Sequence, residues 1–133
     1  MVTKLFFLLL LNVFCLYADP LLIDLKTDYQ KEALGIEKKY PRLSWLIESE
    51  KTGFFQSAYQ IQASQSYSDP FIPNRWDSGW IKCTSSIQVP YLGDNPKSHE
   101  RIYWRVRIKD QNGITSNWSE ITWFEMGLLS SPN

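Results

Sequence analysis

Apolar and polar residues alternate with period two along much of the chain, in short runs separated by Gly, Pro, Asn, Asp and Ser. That pattern predicts half-buried β-strands joined by turns. The clearest run is RIYWRVRIKD, residues 101–110. It sets Ile102, Trp104, Val106 and Ile108 on one face and Tyr103, Arg105, Arg107 and Lys109 on the other. In LSWLIES, Leu43, Trp45 and Ile47 oppose Ser44, Leu46 and Glu48, and Pro41 just ahead suits a strand start, where a missing N–H does least harm. In SAYQIQAS, Tyr59, Ile61 and Ala63 point inward and Gln60, Gln62 and Ser64 outward. Leu21, Ile23 and Leu25 alternate with Leu22, Asp24 and Lys26, and Ile87 shares a face with Val89. WDSGWIK reads as a short strand with a turn at Ser78-Gly79. ITWFEM closes the set, with Trp123 out of phase with Phe124 and Met126, so one of those sets is exposed or faces a neighbouring domain. SDPFIPN and LGDNPKSHE are loops. The best helical candidate, TDYQKEALGIEKKY, is short and interrupted by Gly35. About seven strands with frequent turns predict an all-β fold, an antiparallel β-sandwich.

Composition narrows this to one domain with extensions. The chain has 133 residues, 44% of them hydrophobic, with 14 basic and 14 acidic side chains in balance. Such a balance excludes binding driven by charge to nucleic acid or an anionic membrane. Residues 1–18 differ from the rest: Lys4 precedes an apolar run from Leu5 to Leu16, and Ala18 suits cleavage before Asp19-Pro20. This predicts a signal peptide and an exported protein, whether periplasmic, cell-surface or secreted. Lipidation at Cys15 competes with cleavage, but Phe14 stands where a small residue is wanted. A buried N-terminal strand or helix is the remaining alternative. With the leader removed, Cys83 is the only thiol, so no internal disulfide is expected.

Candidate chemistry is sparse. His99 lies in the polar run KSHER, and nothing in the sequence links it to Cys83. Glycoside hydrolysis needs two carboxyl groups flanking the sugar, and the acids here fall at turns or on outward faces. Asp77, between Trp76 and Ser78-Gly79, is expected to bond turn N–H groups. No metal-ligand spacing, phosphate loop or nucleophile elbow occurs, and no cofactor is implied. Asn117-Trp118-Ser119 matches the short, common glycosylation acceptor pattern. Among the tryptophans, Trp45 and Trp104 are expected in the core, whereas Trp80 and Trp123 are candidates for stacking on a sugar ring. Asn112-Gly113 supplies hairpin chemistry that returns the chain beside the Arg105/Arg107 face. Trp118 is then expected to lie across both guanidinium groups as a structural ladder.

Several of these residues carry a family likeness. Trp45, the W-R-V-R strand and Trp118-Ser119 resemble a fibronectin type III or immunoglobulin-like sandwich. NWSE is similar to half of the WS motif in cytokine-receptor modules, where a comparable Arg/Trp ladder occurs. Four islands occur in order: PRLSW (Pro41, Arg42, Trp45), WDSG (Trp76, Asp77, Ser78, Gly79), YWRVR (Trp104, Arg105, Arg107), and NWSE (Trp118, Ser119, Glu120) with FEMGLL after it. With ALGI, which holds Gly35, they resemble the N-terminal domain of bacterial α-L-rhamnosidases over residues 20–129. Departures are local: Glu32-Ala33 replaces Asn-Pro, Lys109-Asp110 replaces Trp-Asp, and Ile102 stands where the family often has Tyr. The resemblance implies a sandwich at 19–127 and a truncated linker at 128–133 leading to a missing next domain. It also implies a much larger enzyme whose catalytic acids lie in a later (α/α)-barrel, so no catalytic position transfers to this chain. The expected function is a non-catalytic accessory module of an exported α-L-rhamnosidase, present here as a fragment. Its expected partners are downstream domains of the same enzyme and, through Trp80 or Trp123, rhamnose-containing polysaccharide. A free-standing recognition or carbohydrate-binding module is the alternative, and an autonomous small enzyme is disfavoured by the residue inventory.

Overall fold

The computed structural model describes residues 19–129; the expected leader with Cys15 (1–18) and the last four positions of the expected linker (130–133) lie outside them. Among the described residues, nine strands run in chain order: β1 (Leu21–Thr27), β2 (Ala33–Ile36), β3 (Arg42–Glu48), β4 (Gln56–Ser64), β5 (Trp76–Asp77), β6 (Ile81–Lys82), β7 (Val89–Pro90), β8 (Arg101–Asp110) and β9 (Thr122–Met126). They form two sheets. The smaller runs β1-β3-β7, and the larger runs β2-β9-β8-β4-β5, with β6 also paired to β4. All pairings are antiparallel except β2 with β9, which is parallel. WDSGWIK therefore becomes two short strands, β5 and β6, on one edge of β4.

The core lies between the sheets, where alternation from both meets. β8 supplies Ile102, Trp104, Val106 and Ile108, all fully buried, and β3 supplies Leu43 and Trp45. Phe124 and Met126 point inward from β9. Burying such side chains contributes about 1.5–3 kcal/mol each. A polar side chain, that of Gln56, sits among them. Gln56 accepts a hydrogen bond from Trp45 Nε1 at 3.0 Å and donates to the carbonyls of Cys83 and Ser85 at 3.0 and 2.9 Å. It thereby fastens the crossover from β6 to β7 against the core.

Two strand phases differ from expectation, each for a visible reason. In β1 the buried residues are Leu22, Leu25 and Thr27, while Leu21 and Ile23 face solvent. A register shift between Ile23 and Lys26, with Asp24 at φ 49°, inserts a residue and flips the phase. Ile87 is exposed although Val89 is buried, because Gln88 at φ 53° breaks the alternation between them. Gln60 and Ser64 leave the core face as expected yet are buried. The outer face of the larger sheet is itself covered at those positions.

Backbone conformation is demanding where β1 turns back. Thr27 and Gln30 exchange both backbone hydrogen bonds at 2.9 Å around Asp28 and Tyr29, at φ 46° and 65°. Positive φ at both central residues is the signature of a type I′ turn. The chain enters at one end of the sandwich, where Leu21 pairs with Glu48, and leaves at the other, beyond Met126 opposite Ile36.

Candidate functional site: a cation–aromatic ladder on the larger sheet

The outward side chains of β8 are not free. Arg105 lies between two rings, its guanidinium carbon 4.8 Å from the Phe71 centroid and 4.2 Å from that of Trp118. Arg107 is placed the same way, 4.5 Å from Trp118 and 5.1 Å from Trp80. Lys109 Nζ adds a last step, 4.5 Å from Trp80. The result is an alternating series Phe71–Arg105–Trp118–Arg107–Trp80–Lys109 across the sheet. Two-residue spacing along β8 puts the cations in one row, and three separate segments supply the rings.

The guanidinium edges are used as well as their faces. Arg105 donates through Nε and Nη2 to Gln62 Oε1 at 3.1 and 2.7 Å, and Arg107 Nε donates to Gln60 Oε1 at 2.8 Å. Both glutamines then donate to one carboxylate: Gln60 to Asp77 Oδ1 at 2.8 Å and Gln62 to Asp77 Oδ2 at 3.0 Å. Donor on one side and acceptor on the other fixes both amide orientations. Asp77 also accepts the Gly79 N–H at 3.0 Å, closing the turn in which Gly79 sits at φ 61°. Ser78 Oγ accepts the Ile61 N–H at 2.8 Å. Partial burial pushes the Asp77 pKa up, but the Gln60, Gly79 and Gln62 donors and the nearby Arg107 charge outweigh it and hold it below the ordinary value. Burial and the like charge of Arg107 lower the Arg105 pKa, against the opposing pull of Asp77.

Trp118 is held in place by its neighbours in sequence. Ser116 and Ser119 lie three apart, and each binds β8 twice. Ser116 Oγ accepts from Ile108 N and Ser119 Oγ accepts from Val106 N, both at 3.0 Å. The backbone N–H groups of the same serines donate to the Ile108 and Val106 carbonyls at 2.8 Å. The hairpin leading into this segment is closed by Asp110, whose Oδ1 accepts from Asn112 N and Ile114 N at 2.8 and 2.9 Å, with Gly113 at φ 78°. The segment thus continues the sheet beside the second half of β8, where β9 does not reach.

Other predicted residues fall elsewhere. Trp45 and Trp104 are fully buried. Trp76 packs edge-on to Tyr91, with centroids 5.2 Å apart. Trp123, the second stacking candidate, is half-buried on the outer face, with the Arg101 guanidinium 3.7 Å from its centroid. Trp80 and Trp123 occupy separate places, one at the β6 end of the ladder and one on β9. Gly35, at φ 73°, meets Gly127: a Cβ on Gly127 would come within 3.2 Å of the Gly35 backbone. Arg42 donates its backbone N–H to Asp28 at 2.9 Å, and Glu120 is exposed. Cys83 lies near the start of β4 and His99 near the start of β8, at opposite ends of the sandwich, so they form no pair. Among the described residues, no group of three or more His, Cys, Asp or Glu could hold a metal ion. The alternating glutamines of SAYQIQAS foreshadowed the polar relay, but nothing local marked Phe71 as a rung.

The chain matches the family described as the Rha78A-like, N-terminal immunoglobulin domain over residues 22–130. It belongs to that family. A protein named alpha-L-rhamnosidase from Streptomyces avermitilis is 38% identical over 104 residues, covering 78% of this chain and 10% of the relative. A second of that name, from Formosa agariphila, is 36% identical, covering 97% of this chain and 15% of the relative. The crystal structure of the Streptomyces avermitilis enzyme complexed with L-rhamnose superposes with a TM-score of 0.78 at 36% identity, over 81% of this chain and 10% of that one. This Rha78A-like domain thus spans 10–15% of the length of these relatives. The fold class and family resemblance expected from the sequence both hold.

Proposed function

We propose that this domain is a non-catalytic accessory module of an exported α-L-rhamnosidase, bracing or spacing the domains that carry the chemistry. The observation that carries the reading is the use made of its functional-looking side chains. Arg105, Arg107, Trp118, Trp80 and Asp77 are all engaged with one another. A glycosidase acid needs a carboxyl group kept protonated by its surroundings, and Asp77 is shifted the other way. Membership in a family of N-terminal domains agrees with this use. Export rests on the basic start and apolar run of residues 1–18.

A carbohydrate-binding role is the second reading, favoured by the half-buried rings of Trp80 and Trp123 on the outer face. Each ring already carries a cation, which favours the bracing role. The test is to express residues 19–133, record thermal unfolding with and without rhamnose-containing oligosaccharides, and assay an aryl rhamnoside. A cooperative melt without ligand shift or turnover is expected. A melting temperature raised by the sugar would make the module a binder by mass action, and turnover would refute the accessory role.

A further inference from the structure

The exit end of the sandwich combines a braced backbone with exposed apolar side chains. Its loops are tied to one another. The Pro41 carbonyl accepts from Tyr91 N at 2.9 Å, and the Arg75 carbonyl accepts from Asp94 N at 3.2 Å. The Arg75 guanidinium contacts the Glu100 carboxylate. The Gly127 carbonyl accepts from His99 N at 3.2 Å, the Ile36 carbonyl accepts from Gly127 N at 2.9 Å, and Ser98 Oγ accepts from Leu129 N at 2.9 Å. Tyr40, Ile72, Leu92 and Leu128 project from these loops, 45%, 60%, 59% and 73% exposed. Single exposed apolar residues are ordinary, but several carried by the mutually bonded loops of one end make that end a candidate contact site.

We infer that this end is the seat of the next domain in the same polypeptide, joined by an apolar contact centred on Leu92 and Leu128. The inference rests on the accessory-module reading and deepens it. The chain itself leads there. Leu129 is still docked, half-buried and bonded to Ser98, so polypeptide continuing past it would start beside the patch. A domain that follows in the same polypeptide makes the contact intramolecular, and a modest area then suffices. The four side chains offer roughly 400 Å², a large share of one partner's half of an interdomain contact of roughly 600–1,500 Å². The matched relatives are several times longer than this chain, which supplies the polypeptide such a seat requires. The outer flank of the smaller sheet, with its Ile23–Leu46 pair, is also apolar but lies on strands away from the exit.

The test is a chimera in which residues 19–129 replace the corresponding domain of the Streptomyces avermitilis enzyme. Leu92→Ser/Leu128→Ser is compared with the flank pair Ile23→Ser/Leu46→Ser, in the chimera and in the isolated chain. The exit-end pair should lower the chimera's melting temperature by about 5 °C or split its transition, while moving the isolated chain by about 1 °C. The flank pair should spare the chimera. Equal effects of the two pairs would overturn the choice of surface. Dimerisation of the isolated chain, abolished by Leu92→Ser/Leu128→Ser without any effect in the chimera, would assign the patch to a second copy and also overturn it. If even the unsubstituted domain leaves the chimera melting like the enzyme without its N-terminal domain, the accessory reading fails, and this inference with it.

Discussion

Removing the indole of Trp118 tests the ladder most directly. In Trp118→Ala, Arg105 and Arg107 each lose the ring they share, at 4.2 and 4.5 Å. Two cation–π contacts at a partly exposed site are worth about 1–2 kcal/mol together. The half-buried indole also covers apolar surface, and returning about 60 Å² of it to water costs about 1.5 kcal/mol. The sum is about 2.5–3.5 kcal/mol, or a fall of about 10–15 °C in melting temperature for a domain of this size. Thermal and urea unfolding of Trp118→Ala, Arg107→Met and the double variant form a cycle that isolates the pair. Arg107→Met keeps the aliphatic stem but loses the charge and the Gln60 bond, so the cycle, not the single variant, measures the stacking. A coupling of about 0.5–1 kcal/mol is expected. A melting temperature for Trp118→Ala within about 2 °C of the parent, or no coupling, would refute the ladder as a stabilising device.

The packing sets three further outcomes. Gln56→Leu should destabilise by about 2–4 kcal/mol, because it strands the buried Trp45 Nε1 and takes the donor from two part-buried carbonyls; a urea midpoint unchanged from the parent would contradict this. Gly93→Ala should cost about 1–3 kcal/mol, since its Cβ would lie 2.4 Å from the Tyr91 hydroxyl and 2.7 Å from Trp76 Cβ. Tyr91 cannot step aside, being 1% exposed with its pKa pushed up to about 12 by burial; a neutral result in thermal unfolding would show that it does. Asp77 has a depressed folded-state pKa, so its contribution is present above the unfolded value near 4 and is lost as pH falls through the folded value. The stability gap between parent and Asp77→Asn should therefore narrow from about pH 6 to about pH 3, and a constant gap would refute the linkage.

The fold was legible because a sandwich strand writes its two faces into alternate residues. β8 shows this best: Ile102, Trp104, Val106 and Ile108 are buried as their spacing requires, and the hairpin after it agrees with Asn112-Gly113. The same logic failed where one residue changed the count. The bulge at Asp24 and the positive φ at Gln88 invert phase, and no side-chain pattern announces either. Trp118 between Arg105 and Arg107 could be anticipated from a row of arginines and a turn that returns the chain. Phe71 could not, because it reaches Arg105 from a loop across β4, and only tertiary folding brings that loop over the sheet. Likewise the sequence shows Gln60 and Gln62 pointing outward, but it takes the folded sheet to place Asp77 opposite both. Local sequence determines which face a residue occupies, since that is a property of one strand's geometry. The cover over that face depends on contacts between distant segments, and only the tertiary structure decides it.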